Sequence, residues 1–252
     1  MKKTLEIALI VIFLTPFAYF LTASVAVNYR FPLLLPDGLT GDYWQQIFNA
    51  NSTIGRSILT SLLISTLTAS LATSIGFVVS KTLAYHPQRP IFEILAYLPY
   101  AFSPVVYAYC LNFFFNKANL TGNTEGVILA QFILTFPFAI ILFLNHWNNE
   151  LKAVEQLTYT LGGSVFQVYQ RVLLPMSKPI LTLCFFQTFL ISWFEYGLTS
   201  VIGLGKIPTL TIKVYQFIGE SNVYFAALAS CLLVFPPLVL LWFNRKFVFN
   251  KT

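Results

Sequence analysis

Glu195 is the carboxylate best placed to do chemistry in this sequence, because it stands within a long apolar run, Ile191-Ser-Trp-Phe-Glu195-Tyr-Gly-Leu-Thr-Ser. A carboxylate in such a run costs free energy unless it is protonated, paired or turned towards a polar cavity. Two interpretations are therefore open for Glu195: a residue that lines a polar pathway, or a buried residue that bonds to a neighbouring helix or second subunit. Glu6 and Glu93 lie near the ends of apolar runs and support neither.

The other reactive side chains do not form a recognisable catalytic or metal-binding pattern. Cys110, Cys184 and Cys231 all fall in apolar runs without Cys-x-x-Cys spacing, which is typical of small core residues. His86 and His146 are far apart, and no His-Glu-x-x-His helix occurs. We expect no metal and no cofactor. An intramembrane enzyme is disfavoured because no nucleophile with a nearby base is evident.

A phosphate-binding loop is also missing from the 252 residues. The pattern Gly-x-x-x-x-Gly-Lys-Ser/Thr cradles the phosphates of ATP, and its nearest approach is the segment from Ser200 to Ile207. Ser200 stands where the first Gly belongs, and Ile207 stands where Ser or Thr belongs. This chain is therefore not expected to hydrolyse ATP, and any uphill transport would draw its energy from a partner or an ion gradient.

The elements that carry these residues are predicted to be transmembrane helices. Hydrophobic residues make up 57% of the chain and charged residues only 10%, too few to cover a water-soluble fold of this size. A helix needs about 20 mainly apolar residues to cross the hydrocarbon core. Six segments qualify, at residues 7–28, 58–80, 94–115, 127–144, 180–204 and 223–243. The fold class is thus an all-α membrane protein with six transmembrane helices.

The distribution of Lys and Arg predicts the orientation. With the N-terminus inside, the inner segments hold ten basic residues: Lys2, Lys3, Lys81, Arg89, Lys152, Arg171, Lys178, Arg245, Lys246 and Lys251. The outer segments hold five, namely Arg30, Arg56, Lys117, Lys206 and Lys213. Basic residues concentrate on the cytoplasmic side, so both termini are predicted to be cytoplasmic. The net charge of +6 then reflects orientation, and nucleic-acid binding is not expected.

Small residues and prolines mark several of these spans. Ser61, Ser65, Ala69 and Thr73 recur every four residues in the second span, a spacing that favours close helix packing. Bends are expected at the prolines of the third, fourth and sixth spans: Pro99, Pro104, Pro137, Pro236 and Pro237. The first span also has features of a secretory signal peptide, but its apolar run is long enough to favour a retained helix.

A polar insert of residues 146–178 separates the fourth and fifth spans. A helix is predicted from Glu150 to Leu161, because Leu151, Val154, Leu157 and Leu161 recur at intervals of three and four. Gly162-Gly163 should end it, and a second helix is predicted from Ser164 to Leu174, with Pro175 after it. The insert is interpreted either as a docking surface for a soluble protein or as an amphipathic hairpin that rests on the membrane.

The insert resembles the EAA loop of binding-protein-dependent ABC importer permeases. That loop has Glu-Ala-Ala, three residues, Gly, nine residues, an aliphatic residue, any residue and Leu-Pro. Gly162, nine residues, Val172, Leu173, Leu174 and Pro175 match its second half. Gln156 occupies the Glu place, and Glu155 comes one position early. Further local patterns of the family are similar to Asp42-Tyr-Trp-Gln-Gln-Ile-Phe, Leu98-Pro99, Ser103-Pro104-Val-Val and Trp193-Phe-Glu195-Tyr-Gly.

The resemblance implies a type I ABC importer permease bundle in a bacterial inner membrane. It implies an N-terminal transmembrane helix in residues 1–30 and a permease core in residues 31–252, with 146–178 as the cytoplasmic coupling loop. Its implied partners are a cytoplasmic ABC ATPase dimer, a second permease subunit, an extracytoplasmic solute-binding protein and membrane lipid. The coupling residues carried over are Glu155, Gln156, Gly162, Gly163, Ser164, Val165, Phe166, Leu174 and Pro175.

The main alternative is a secondary transporter or channel, which would need ion-coupling residues near the membrane midplane, where Glu195 is the one acidic candidate. Within the importer family, the chain looks closest to the permeases for polyamines, thiamine, ferric iron, phosphonates and sulfate-like anions. The sequence does not separate these solutes. Nor does it distinguish pairing with an identical permease subunit from pairing with a different one.

Overall fold

The computed structural model describes residues 2–27, 36, 38–47 and 52–247, and this part of the chain is mainly helical. Its helices are α1 Lys2–Ser24, α2 Asp42–Ile47, α3 Thr53–Ala84, α4 Arg89–Tyr97, α5 Pro104–Lys117, α6 Thr124–Leu144, α7 Asn149–Thr160, α8 Val165–Gln167, α9 Leu174–Met176, α10 Lys178–Trp193, α11 Gly197–Ile202, α12 Leu210–Gly219 and α13 Val223–Phe247. Two antiparallel strands of two residues each, β1 (Ala26–Val27) and β2 (Gly38–Leu39), pair Ala26 with Leu39. A 3-10 turn (Leu98–Ala101) follows α4, and a π-helical turn (Val168–Leu173) follows α8.

Three helices in the described residues are long and apolar enough to cross a membrane by themselves: α3, α6 and the segment Val223–Leu240 of α13. They match the second, fourth and sixth predicted spans. The apolar part of α1 whose side chains are described, Val11–Ser24, is shorter. The protein is thus an all-α, multi-pass membrane protein, while the predicted number of six spans is not confirmed.

The third predicted span is not one straight helix. The segments Arg89–Ala101 and Pro104–Lys117 meet at an angle of 101°. Ser103, between them, has an extended backbone with φ −61° and ψ 139°, as expected for a residue that precedes proline. The apolar run at 94–115 therefore covers a sharp turn, which is stronger than the bend expected at Pro99 and Pro104.

The fifth predicted span, 180–204, is interrupted as well. Helix α10 ends at Trp193, and α11 begins only at Gly197. A Cβ atom at Gly197 would lie 2.8 Å from Cγ2 and 3.1 Å from the backbone nitrogen of Val105. Glycine is therefore required where the start of α11 packs on α5. Glu195 is predicted to lie inside a continuous span. It lies instead in the break between α10 and α11.

The chain divides into two compact units, Met1–Ser61 with Pro208–Phe243 and Leu62–Ile207 with Asn244–Thr252. In the first unit the backbone N–H of Leu210 donates to Oγ of Ser61 at 2.7 Å, and the Tyr43 ring stacks on Tyr224. The predicted domain boundary at residue 30 lies outside the described residues, and it stays a prediction.

In the second unit, α3 and α6 pack closely along small residues. A Cβ atom at Gly76 would lie 2.7 Å from Cβ of Ala139, so the two backbones approach more closely than any larger residue would allow. Ser65, Ala69 and Thr73 are buried, as the four-residue spacing predicted for a helix within a bundle. The neighbouring hydroxyls of Thr66, Ser70 and Ser74 lie instead on the exposed side of α3.

Candidate functional site

The polar insert is anchored in the core of the second unit. Trp147, Leu151, Val168 and Leu173 are all buried, and they join a cluster that includes Phe77 of α3 and Phe143 and Ala139 of α6. The indole N–H of Trp147 also donates to Oγ of Ser80 in α3 at 2.9 Å. Burial of these apolar side chains holds the insert against the transmembrane helices, so it is not a loosely attached loop.

The first arm of the insert, α7, ends in a glycine turn at the predicted place. Asn148 caps its start by accepting a hydrogen bond from the N–H of Leu151 at 2.9 Å. At its end, Gly162 has φ +83°, and the N–H groups of Gly162 and Gly163 donate to the carbonyls of Tyr159 and Thr158, both at 3.0 Å. This is a Schellman motif, which needs a residue that tolerates a left-handed conformation.

The second arm of the insert consists of α8, the π-helical turn and α9. It begins with a capping box. The N–H of Gln167 donates to Oγ of Ser164 at 3.3 Å, and the N–H of Ser164 donates to Oε1 of Gln167 at 2.9 Å. Ser164 is therefore the helix cap that the sequence predicted. Pro175 does not end this arm, however, because α9 continues from Leu174 to Met176. Proline is tolerated there because it closely follows the π-helical turn Val168–Leu173, in which the regular α-helical hydrogen-bond pattern is already interrupted.

Large apolar side chains project from the surface where the two arms meet. Leu161 is 80% exposed, Val165 63% and Phe166 72%, and we call these three residues the apolar knob. Leu157 of α7 is also exposed, whereas Leu151 is buried, so the predicted apolar stripe of α7 runs from the core to the knob. Five of the other residues assigned to the coupling loop are exposed: Gln156, Gly162, Ser164, Leu174 and Pro175.

Glu155 differs from Gln156, because its carboxylate turns inward. Oε1 of Glu155 forms an ion pair with Nζ of Lys81 in α3 and accepts a hydrogen bond from the hydroxyl of Tyr159 at 3.3 Å. Lys81 Nζ also lies 4.6 Å from the centroid of the Tyr169 ring. The charge of Glu155 is thus used within the chain, while Gln156 is the exposed side chain at the Glu place of the motif.

A hydrogen bond closes the base of the insert. Nε2 of His146, which follows α6, and Oγ of Ser177, which precedes α10, are 2.7 Å apart. Burial lowers the pKa of His146 below its ordinary value, because removal from water disfavours the charged imidazolium. The contact between His146 and Ser177 therefore holds the two ends of the insert together, and burial favours the neutral form of the histidine.

Glu195 acts as a local cap in the break between α10 and α11. Its side chain is buried. Oε1 accepts a hydrogen bond from the N–H of Leu198 at 2.6 Å, and Oε2 accepts from the N–H and the Oγ1 of Thr199 at 2.9 and 2.8 Å. The carboxylate thereby satisfies backbone donors at the start of α11 that would otherwise be unpaired in an apolar environment.

Gln131 of α6 extends this group of buried polar side chains. Its Nε2 donates to Oγ1 of Thr199 at 2.9 Å, and its Oε1 accepts from Oγ of Ser192 in α10 at 2.5 Å. Ser192 and Thr199 lie on either side of the break, so one amide spans it. We call Glu195, Gln131, Ser192 and Thr199 the break network.

Three residues with these contacts, Lys81, Gln131 and Tyr169, are not marked as functional by the sequence patterns. Only Gln131 carries a signal of its own, as an amide within the very apolar helix α6, where a polar side chain needs a partner. Lys81 lies in the last turn of α3 and Tyr169 in the π-helical turn of the insert, so their contacts depend on the tertiary fold. No group of three or more His, Cys, Asp or Glu side chains comes together in the part of the chain that the structure describes.

Known proteins resemble this chain in sequence at low identity. No family model matches it. It is 24% identical to the putative ferric transport system permease protein FbpB 1 of Haemophilus influenzae over 145 residues, 54% of this chain and 23% of that protein. It is 24% identical to the probable transport system permease protein NifC of Clostridium pasteurianum over an alignment of 255 residues, gaps included. That alignment covers 90% of this chain and 86% of that protein. The chain spans less than a quarter of the length of FbpB 1 and of the ferric permease of Actinobacillus pleuropneumoniae.

A solved structure shares the fold. The chain superposes on a chain of a bacterial ABC transporter involved in the import of the acidic polysaccharide alginate, with a TM-score of 0.74 and 16% identity. The match covers 98% of this chain and 94% of that chain. The protein therefore has the fold of that ABC transporter chain, and its sequence relatives are named as transport system permeases.

Proposed function

We propose that this protein is a permease subunit of an ABC importer, which forms the solute pathway and docks on a separate cytoplasmic ATPase. The transport subunit itself would not be an enzyme. The fold shared with an ABC transporter chain and the similarity to transport system permeases support the class. The finer assignment rests on the insert and its exposed apolar knob.

The apolar knob is the single observation that carries the docking proposal. Leu161, Val165 and Phe166 are exposed on a rigid support that a Schellman motif, a capping box and a buried core fix from both sides. An exposed aromatic beside aliphatic side chains is typical of an anchor that enters a pocket on a partner protein. An amphipathic hairpin resting on the membrane would not need such a fixed geometry.

The proposed orientation puts the insert and both termini in the cytoplasm, as the ten-to-five asymmetry of basic residues indicates. A second permease subunit and an extracytoplasmic solute-binding protein would complete the importer. ATP-driven closure of the two ATPase subunits would move the insert and switch the pathway between outward and inward access, which is a rigid-body change between two states. Ferric iron and sulfate, which the names of relatives specify, are the first solutes to test.

The experiment is co-purification of the permease with the ATPase encoded beside it. Phe166→Asp puts a charge into the centre of the knob, and Gly162→Val forces a β-branched residue into the positive φ of the glycine turn. Both variants should insert into the membrane and lose the ATPase. Leu204→Asp, which adds the same charge at an exposed position on the side predicted to be external, should retain it.

The competing function is a secondary transporter or channel. It predicts solute uptake that needs an ion gradient and no ATPase. If the wild-type permease captures no ATPase and still supports gradient-driven uptake, the importer proposal is wrong. If Phe166→Asp retains as much ATPase as Leu204→Asp, the ATPase does not dock through the apolar knob, and that part of the proposal is wrong.

A further inference from the structure

Lys81 contacts both arms of the insert from the cytoplasmic end of α3. Its ammonium group forms an ion pair with Glu155 of α7 and lies over the ring of Tyr169 in the π-helical turn at 4.6 Å. Glu155 precedes the apolar knob in the chain, and Tyr169 follows it. One cation therefore joins both sides of the knob to a single transmembrane helix.

These contacts are shielded from water. The side chains of Lys81 and Glu155 are 14% and 12% exposed, so solvent screens the pair less than it screens a surface pair. The hydrogen bond from the Trp147 indole to Ser80 attaches the start of the insert to the residue beside Lys81. Lys152 also meets a ring, that of Tyr85 at 4.9 Å, but it lies on the first arm itself and is exposed.

The pairing changes the role of the carboxylate that stands nearest to the Glu place of the loop motif. Glu155 meets Lys81 and Tyr159 of its own chain, and the exposed residue beside it is the neutral Gln156. The surface from Gln156 to Gln167, which includes the knob, thus offers a docking protein no charged side chain. The charge of Glu155 serves an internal connection between the insert and α3.

We propose that Lys81 is a positioning residue that makes the insert and α3 move as one body, so that displacement of the apolar knob is passed to the transmembrane helix. This rests on the proposed function, because the displacement comes from the docked ATPase. Without Lys81 the knob keeps its apolar side chains and its capped turns. It therefore still binds the ATPase. The polar connection from its two arms to the end of α3 is lost, and the apolar packing on Phe77 and the hydrogen bond from Trp147 to Ser80 remain.

The test uses the complete transporter in membrane vesicles and two readouts, the ATPase retained per permease and the solute imported per ATP hydrolysed. Lys81→Met and Glu155→Gln should retain the ATPase, while import per ATP falls by about fivefold or more, the lower range of coupling between sites. Lys81→Arg keeps the charge and should stay near wild type. Lys178→Met, which removes an exposed cation at the start of α10, should have no effect on either readout.

The double variant Lys81→Glu with Glu155→Lys restores an ion pair with the two charges exchanged. It should recover part of the lost coupling. If Lys81→Met does not accumulate in the membrane, this double variant alone tests the proposal. Normal import per ATP in Lys81→Met and Glu155→Gln overturns the proposal. So does loss of ATPase capture in these variants, because Lys81 would then act in docking itself. A wild-type permease that captures no ATPase would instead contradict the proposed function.

Discussion

Gln131 and Thr199 are joined by a hydrogen bond of 2.9 Å, although 68 positions separate them in the sequence. Because Gln131 also accepts from Ser192, a single amide of α6 holds the end of α10 and the start of α11. In a low-dielectric interior such a bond is strong, and an unpaired member of the network is correspondingly costly. The break network thus connects the two sides of the interruption between α10 and α11.

Removal of the Gln131 amide should destabilise the protein. Gln131→Leu keeps the volume roughly constant but leaves the hydroxyls of Ser192 and Thr199 without this partner, at a cost of about 1–3 kcal/mol. The midpoint of thermal unfolding in detergent should fall. Gln170→Leu, at an exposed position in the insert, is the matched control and should unfold as wild type does. Equal midpoints for both variants would mean that the break does not depend on Gln131.

Glu195→Gln should change assembly or transport, while Glu93→Gln should do little. Two carboxylate oxygens of Glu195 accept three hydrogen bonds, and glutamine has only one acceptor oxygen, so at least one backbone N–H of α11 loses its partner. We expect a loss of stability of about 1–3 kcal/mol, together with reduced solute uptake. Stability and uptake should be measured for both variants. Negligible effects from both would make Glu195 an incidental polar residue.

Acidic pH should loosen the insert through His146. Its lowered pKa means that the folded protein favours the neutral imidazole more than the unfolded chain does, so protonation opposes folding. The stabilisation is complete above the ordinary pKa, about 6.5, and is lost as the pH falls below it. After correction for the intrinsic pH dependence of amide exchange, the amides of α7 should therefore exchange faster at about pH 5.5 than at about pH 7. His146→Gln should abolish this extra dependence, and its persistence would assign the effect to another group.

Residues 121 and 149 should lie on opposite sides of the membrane. In a variant in which Cys110, Cys184 and Cys231 are replaced, a single cysteine at Thr121 should react with an impermeant maleimide added from outside. A cysteine at Asn149, which is exposed at the start of α7, should react only after the membrane is made permeable. Labelling of both positions from outside would refute the orientation derived from Lys and Arg.

The sequence predicts the insert better than the spans that flank it. Spacing of Leu151, Leu157 and Leu161, together with Gly162 and Ser164, identifies α7, the turn and the start of α8, because these are local properties of the backbone. Hydropathy is a sum over a window and carries no direction. It therefore joins α4 with α5, although their segments meet at 101°, and α10 with α11, although a break at residues 194–196 separates them.

The contacts that define the candidate site could not be predicted from local patterns. Lys81 meets Glu155 only because α3 and α7 come together in the fold, and the sequence separation gives no hint of it. For Glu195 the sequence correctly marked an unusual carboxylate. Its use as a cap depends on the break in the helix, which the hydropathy of the sequence does not reveal.

The breaks in the third and fifth spans have a consequence for the lipid around the protein. Helix α5 has 14 residues and α10 has 16, so at about 1.5 Å per residue they are about 21 and 24 Å long. Both are shorter than a hydrocarbon core of about 30 Å. Where α5 or α10 crosses the hydrocarbon core alone, the adjacent bilayer has to thin, or side chains have to shield the backbone at the breaks, as Glu195 does. Acyl-chain length in the surrounding membrane thus becomes a physical variable that acts on the ends of α5 and α10.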